Sequence, residues 1–159
     1  MNGSPIDFPK PSRVAMVLIY RILWTKLSRR SAVSGLWLRE YENTKLFPNM
    51  FCHVLPPDKY PYFRYYMKNI VLVTPGEAGL WTQATEEERI QYALDIEFRS
   101  KNKDTANWAI LKHLAEVLDV EYKKVFPVTN KGIVGYKYNA DEIKTAVGKL
   151  NERYILSLK

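Results

Sequence analysis

Prolines and aromatic rings crowd one stretch in the middle of this chain, and that stretch limits what the rest can build. Pro48, Pro56, Pro57 and Pro61 fall within residues 44–61. Proline has no amide N–H and a fixed φ, so regular structure is not expected there. The same stretch and its flank carry Phe47, Phe51, Tyr60, Tyr62, Phe63, Tyr65 and Tyr66. Rings in this number must be buried somewhere, either folded back over the domain or docked on a partner. The stretch reads as an extended aromatic and Pro-rich docking segment over 40–68. It separates a basic N-terminal arm and amphipathic helix over 1–39 from a small, mainly helical core over 69–159. At 159 residues the three parts make one domain overall.

Charge is concentrated ahead of that loop. The formal net charge is +7, and residues 1–39 hold +6 of it: Lys10, Arg13, Arg21, Lys26, Arg29, Arg30 and Arg39 against Asp7. Pro5, Pro9 and Pro11 keep the opening residues extended. Ser12 sits where it would cap a helix from about Arg13 to Arg30. On that helix Arg21, Thr25, Ser28 and Arg29 form a polar row. Val14, Leu18, Ile22 and Leu23 lie opposite, with Trp24 at the border. The most apolar run, Val14 to Trp24, is 11 residues long and interrupted by Arg21. A spanning helix needs roughly 20 apolar residues, so no transmembrane helix is expected. Three uses of the arm stay open: a helix packed on the protein's own core, a surface helix against anionic lipid or a membrane subunit, and an organellar targeting segment.

Beyond a break at 31–35 comes a short apolar-aromatic segment around Leu36, Trp37 and Leu38. Asn69 to Thr74 is β-branched and apolar, stops at Thr-Pro-Gly, and reads as one buried strand. Thr85 followed by Glu86, Glu87 and Glu88 matches a capping box with acids where the helix dipole favours them. Ile90, Leu94 and Phe98 supply that helix with an i, i+4, i+8 stripe, and the run 100–104 reads as a loop. A second helix is predicted from about Thr105 to Asp119, with Trp108, Leu111, Ala115 and Leu118 on one face, widened by Leu114 and Val117. Pro127 and the turn Asn130-Lys131-Gly132 close the segment that follows, and 133–138 suits a short strand. Asn139 with Glu142 marks a further N-terminal cap, continued by Ile143, Ala146, Val147, Leu150 and Tyr154. The fold class predicted is mainly α, a small single helical domain with minor β content.

Few residues suggest chemistry. The single cysteine, Cys52, excludes an internal disulfide framework and a multi-cysteine zinc site. His53 and His113 are the only histidines, too few to expect a histidine-based metal or catalytic centre. No glycine-rich phosphate loop occurs. Glu87 and Glu88 diverge by about 100° on a helix, so they do not converge on one substrate atom. Cys52 and His53 are adjacent, but a nucleophilic pair must meet through the fold with an orienting third group. The expectation is no catalytic, cofactor-binding or metal residue, and no cofactor. A sequence pI near 9.4 with interleaved basic and aromatic residues keeps nucleic acid open as a partner.

Two segments resemble known families. Val17 to Trp24, with Ile19-Tyr20-Arg21 at its centre, resembles the opening of the Leu-Tyr-Arg (LYR) family of small mitochondrial helical proteins. Trp81 to Arg89, followed by Tyr92 and Phe98, is similar to the matrix-side segment of cytochrome c oxidase subunit IV. Both resemblances imply a supernumerary subunit of a mitochondrial respiratory complex, on the matrix side of the inner membrane. Such a protein stabilises assembly without binding redox cofactors.

The reading adopted is therefore a non-catalytic accessory subunit of a large mitochondrial inner-membrane complex. Its expected contacts with lipid phosphate or neighbouring subunits are Arg13, Arg21, Lys26, Arg29 and Arg30. Tyr20, Trp24, Trp37, Tyr62 and Tyr65 would be aromatic anchors, with Arg64 in a second basic-aromatic cluster. A mitochondrial ribosomal protein binding rRNA through the same arm is one alternative. A small enzyme with an unrecognised site is another.

Overall fold

A computed structural model of the chain describes residues 13–99, 106–127 and 138–158. The predicted cap at Ser12, the loop over 100–104, the turn at 130–132 and most of the strand over 133–138 lie outside the described residues. The chain is mainly helical, with one small two-stranded sheet. The helices are α1 (Arg13–Lys26), α2 (Pro75–Gln83), α3 (Glu86–Arg99), α4 (Ala109–Val125) and α5 (Ala140–Ser157). The strands are β1 (Phe51–His53) and β2 (Ile70–Leu72), antiparallel with Phe51 opposite Leu72 and His53 opposite Ile70.

α1 is shorter than its polar row suggests, because the chain turns sharply at Arg29. That residue has φ +61°, a left-handed conformation that costs an L-residue about 1–2 kcal/mol. Local contacts offset the strain. The Arg29 Nε donates to the Trp24 carbonyl at 3.1 Å, and its guanidinium lies 4.9 Å from the Trp24 ring centre. A cation thus sits where the last helical carbonyls leave negative potential. The chain then doubles back between Arg30 and Trp37, with Gly35 supplying the second positive φ, +76°.

β1 lies inside the proline-rich stretch, where no regular structure was expected. The prolines sit at its flanks, leaving three residues free to pair. Side chains then replace the donors that the prolines withhold. Asn69 is fully buried; its Oδ1 accepts from Leu55 N–H at 2.7 Å and its Nδ2 donates to the Leu55 and Phe63 carbonyls. Asn151 on α5 takes Met67 N–H at 2.7 Å and donates to the Tyr65 carbonyl. Trp81 Nε1 donates to the Val54 carbonyl at 3.1 Å. Few backbone groups in the loop are left to chance, which lets it be buried.

The aromatic loop folds back over the domain and joins its cores. Phe47, Met50, Phe51 and Met67 pack with Met16, Leu23 and Trp24 of α1. Val54, Leu55, Phe63 and Tyr66 pack with Leu118 and Phe126 and with Ile143, Val147 and Leu150 of α5. A third cluster gathers Val33, Cys52, Val73, Trp108 and Leu111.

Two further helices depart from the sequence reading. α2 follows β2 directly, where the Thr-Pro-Gly signal had been read as a terminator alone. Thr74, Pro75 and Glu77 form a complete capping box: Glu77 N–H donates to Thr74 Oγ1 at 3.1 Å and Thr74 N–H to Glu77 Oε1 at 2.9 Å. α4 begins at Ala109 rather than Thr105 and runs past Asp119 to Val125, since no breaker intervenes before Pro127. The Asp119–Lys123 pair at i, i+4, 3.0 Å apart, and Lys124 favour that extra turn. The cap at Asn139 forms as read, Glu142 N–H donating to Asn139 Oδ1 at 2.8 Å.

Candidate docking surface

The side chains singled out on the arm separate into a buried group and an exposed one. Leu23 and Trp24 are buried, and Trp24 meets Phe47 edge-on with ring centres 5.7 Å apart. Tyr20 is half-buried and stacks on Phe51 at 4.2 Å; burial raises its pKa. Trp24 therefore anchors α1 inward and offers almost no surface to a partner. Arg29, tied to the Trp24 carbonyl, belongs with it.

The outward face of α1 carries Leu18, 60% exposed, with Ile22, Arg21, Thr25 and Lys26. Leu18 and Ile22 thus leave the apolar side assigned to them and join the polar row. The rotation follows from Trp24, the largest side chain of the helix, which the core takes together with its neighbour Leu23. No acid occurs anywhere on α1. The Arg21 guanidinium lies 4.2 Å from the Phe47 ring centre, so the cation is held against the domain rather than waving free.

The Arg30–Trp37 turn, which follows α1 in the chain, carries a second exposed patch of the same kind. Trp37 is 50% exposed and Leu36 nearly as much. The Arg30 guanidinium lies 3.6 Å from the Trp37 ring centre and donates from Nη1 to the Gly35 carbonyl at 3.1 Å; Arg39 lies 5.1 Å from the same ring. Arg39 was counted in the charge of the arm but not singled out as a contact. Its position beside Trp37 follows from the turn that Gly35 permits. The arrangement presents apolar area ringed by fixed guanidinium charge, suited to phosphate or carboxylate groups above a greasy surface.

The remaining singled-out residues lie elsewhere. The side chain of Arg13 lies outside the described residues. Tyr62 and Tyr65 are half-buried and, with Ala15 and the α5 residues Ile143, Lys144, Val147 and Asn151, line a largely apolar cleft of about 510 Å³. Tyr62 packs against Tyr122, Phe126 and Tyr138. Arg64 is half-buried beside them, its carbonyl accepting from His53 Nε2 at 2.9 Å. These rings are largely consumed by packing within the domain.

A second cavity, about 490 Å³, brings Cys52 and His53 together with Pro48, Pro56, Pro75 and Thr82. Burial pushes the Cys52 thiol up to about 12, far from thiolate at neutral pH. Burial lowers the pKa of His53, whose Nε2 is already engaged with the Arg64 carbonyl. No carboxylate lines this cavity among the described residues, so nothing there orients the pair. No group of three metal-ligating side chains occurs among the described residues, and no described helix is long and apolar enough to cross a membrane.

Comparison with known proteins finds no matching family model, no matching curated protein and no matching solved structure.

Proposed function

We propose that this chain is a non-catalytic accessory subunit that docks onto a large assembly through the outward face of α1 and the adjoining Arg30–Trp37 turn. The observation that carries the reading is the pairing of exposed apolar area with cationic charge, free of acids along α1. On α1, Leu18 and Ile22 share a face with Arg21 and Lys26; on the turn, Leu36 and Trp37 stand with Arg30 and Arg39. Trp and Arg dominate binding hot spots, and guanidinium groups pre-positioned over rings lose little freedom on binding. The inward anchoring of Trp24 gives this face a rigid base. The aromatic loop contributes by holding α1 in place.

The assembly proposed is a respiratory-chain complex at the matrix side of the mitochondrial inner membrane. Support for that address comes from the resemblances of residues 17–24 and 81–98 and from the acid-poor basic arm. The partners are subunits of that complex, with anionic lipid phosphate as a peripheral contact. An rRNA-bound role is less favoured: Arg30 already lies against the Trp37 ring, so that face is not open as a platform for a base. The test is the native size of the endogenous protein in gently solubilised membranes, run with and without ribonuclease. Co-migration with a nuclease-resistant complex supports the proposal, and a particle that collapses on nuclease treatment replaces it with the ribosomal reading.

A further inference from the structure

α3 carries a second exposed surface, opposite in charge to α1. Ile90 and Leu94 are 51% and 52% exposed, and Phe98 is 91% exposed. The helix turns its other side inward: Tyr92, Ala93 and Ile96 pack on the cluster around Trp108. At about 100° per residue, Ile90, Leu94 and Phe98 lie within about 40° of one line along the outer face. Glu87 falls on that line one turn before Ile90, Glu97 flanks it on one side, and Asp95 stands farther round on the other. Neither Glu87 nor Glu97 has an ion-pair partner among the described residues. Of the two basic residues on α3, Arg99 closes the helix with its side chain outside the described residues, and Arg89 points away from the stripe. Its Nη1 donates to the Leu80 and Ala84 carbonyls at 3.0 and 2.9 Å, and its Nη2 pairs with Glu86 at 3.0 Å.

We infer that the outer face of α3 is a docking site for a basic amphipathic helix of a partner protein, separate from the surface on α1. An α-helix has no free backbone donors or acceptors along its length, so the partner gains only through side-chain packing, which favours another helix over an added strand. Ile90, Leu94 and Phe98 form the apolar seam, and acids beside a seam select Lys or Arg opposite them. An anionic lipid surface is disfavoured here, because Glu87, Asp95 and Glu97 would face its phosphates. The inference goes beyond the docking reading of α1. Two helical faces of opposite charge make the chain a bridge between two neighbours rather than an appendage on one.

The test uses the full chain and two labelled, designed helical peptides, one with leucine and lysine faces and one with leucine and glutamate faces. Fluorescence anisotropy reads binding at low and high salt. The chain as a whole is cationic at +7, so capture of the lysine peptide points to a local acidic site. The lysine peptide is expected to bind at α3 and to weaken at high salt, while the glutamate peptide reports separately on the cationic face of α1. Leu94→Ser with Phe98→Ser is expected to weaken lysine-peptide binding by about tenfold or more. Glu87→Lys with Glu97→Lys is expected to weaken lysine-peptide binding by about tenfold or more as well. Because all four side chains are exposed, circular dichroism and thermal midpoint are expected to stay near the parent values, which separates lost binding from lost folding. Lysine-peptide binding that survives both double variants overturns the inference. Concentration-dependent self-association abolished by the same changes overturns it in favour of a second copy as occupant.

Discussion

α1 and α3 are both fourteen-residue helices with an apolar repeat and charged flanks, yet they attach to the domain by different means. α1 inserts Met16, Leu23 and Trp24 into a core shared with the aromatic loop, and its turn is locked by Arg29. α3 places no residue in the fully buried class. Directed polar contacts supplement its half-buried apolar ones. Tyr92 donates to Glu77 Oε2 at 2.6 Å, Trp108 Nε1 donates to the Arg89 carbonyl at 3.0 Å, and Glu86 pairs with Lys112 on α4. A regular stripe therefore marks a helix without saying which side faces home. In α1 the bulkiest rings decide; in α3 the strictest stripe is left for the outside.

The sharpest way to break the comparison is to remove the apolar anchor. Trp24→Ala should cost about 3–5 kcal/mol by chemical denaturation, the range for emptying a buried tryptophan site. A loss below about 1 kcal/mol would mean that α1 is not held by its core face.

The polar side of the comparison rests on Glu77, fully buried, with both carboxyl oxygens hydrogen-bonded. Ser31 Oγ donates to Oε1 at 2.5 Å, Thr74 N–H to the same atom and Tyr92 to Oε2. Glu77→Gln replaces a carboxylate oxygen with an amide NH2 that the Tyr92 hydroxyl must turn to accept, and should destabilise by about 1–2 kcal/mol. Tyr92→Phe, which frees only one of those bonds, should cost about 1 kcal/mol. If Tyr92→Phe proves neutral, α3 is held by something other than this network.

Acid should act between the two helices, at β1. The pKa of His53 is lowered mainly by burial, so the folded state prefers neutral imidazole. The unfolded chain then binds the proton more readily. Stability from this group is complete above the ordinary histidine pKa of 6.5 and falls as pH drops below it towards the folded value. His53→Gln, which keeps a donor for the Arg64 carbonyl, should flatten the stability profile between about pH 7 and 5. A profile identical to the parent would show that His53 is not the titrating group. The smallest effect belongs to the outer stripe: Leu94→Ser should change stability by less than about 0.5 kcal/mol, in contrast with the interior of α1. A loss of 2 kcal/mol or more would place Leu94 in a core.

Helix formation was legible wherever caps and periodicity agreed. Asn139 with Glu142 and the stripe Ile143, Val147, Leu150 appear as read, because one face of α5 has a single large core to meet. α2 was equally marked by Thr74, Pro75 and Glu77, but the same residues also terminate a strand, and one local signal served both elements. The burial of the aromatic loop depended on Asn69 and Asn151, whose partners are 6 and 14 residues away for the first and 84–86 for the second. No local pattern encodes such bonds. On the candidate surface, the basic residues of α1 were visible by counting charge. The exposed Leu18 and Ile22 and the meeting of Arg30 and Arg39 at Trp37 required the rotation of α1 and the turn at Gly35, which only the packed chain supplies.

Native electrophoresis of gently solubilised membranes from cells expressing either the parent chain or Arg21→Glu with Lys26→Glu tests the docking claim most directly. Both substituted side chains are exposed, so the variant should fold. The parent should run with a large, nuclease-resistant complex, and the variant should shift to the free chain of 18.6 kDa. Incorporation of the variant at parental levels, or a parent that runs free, would contradict the account.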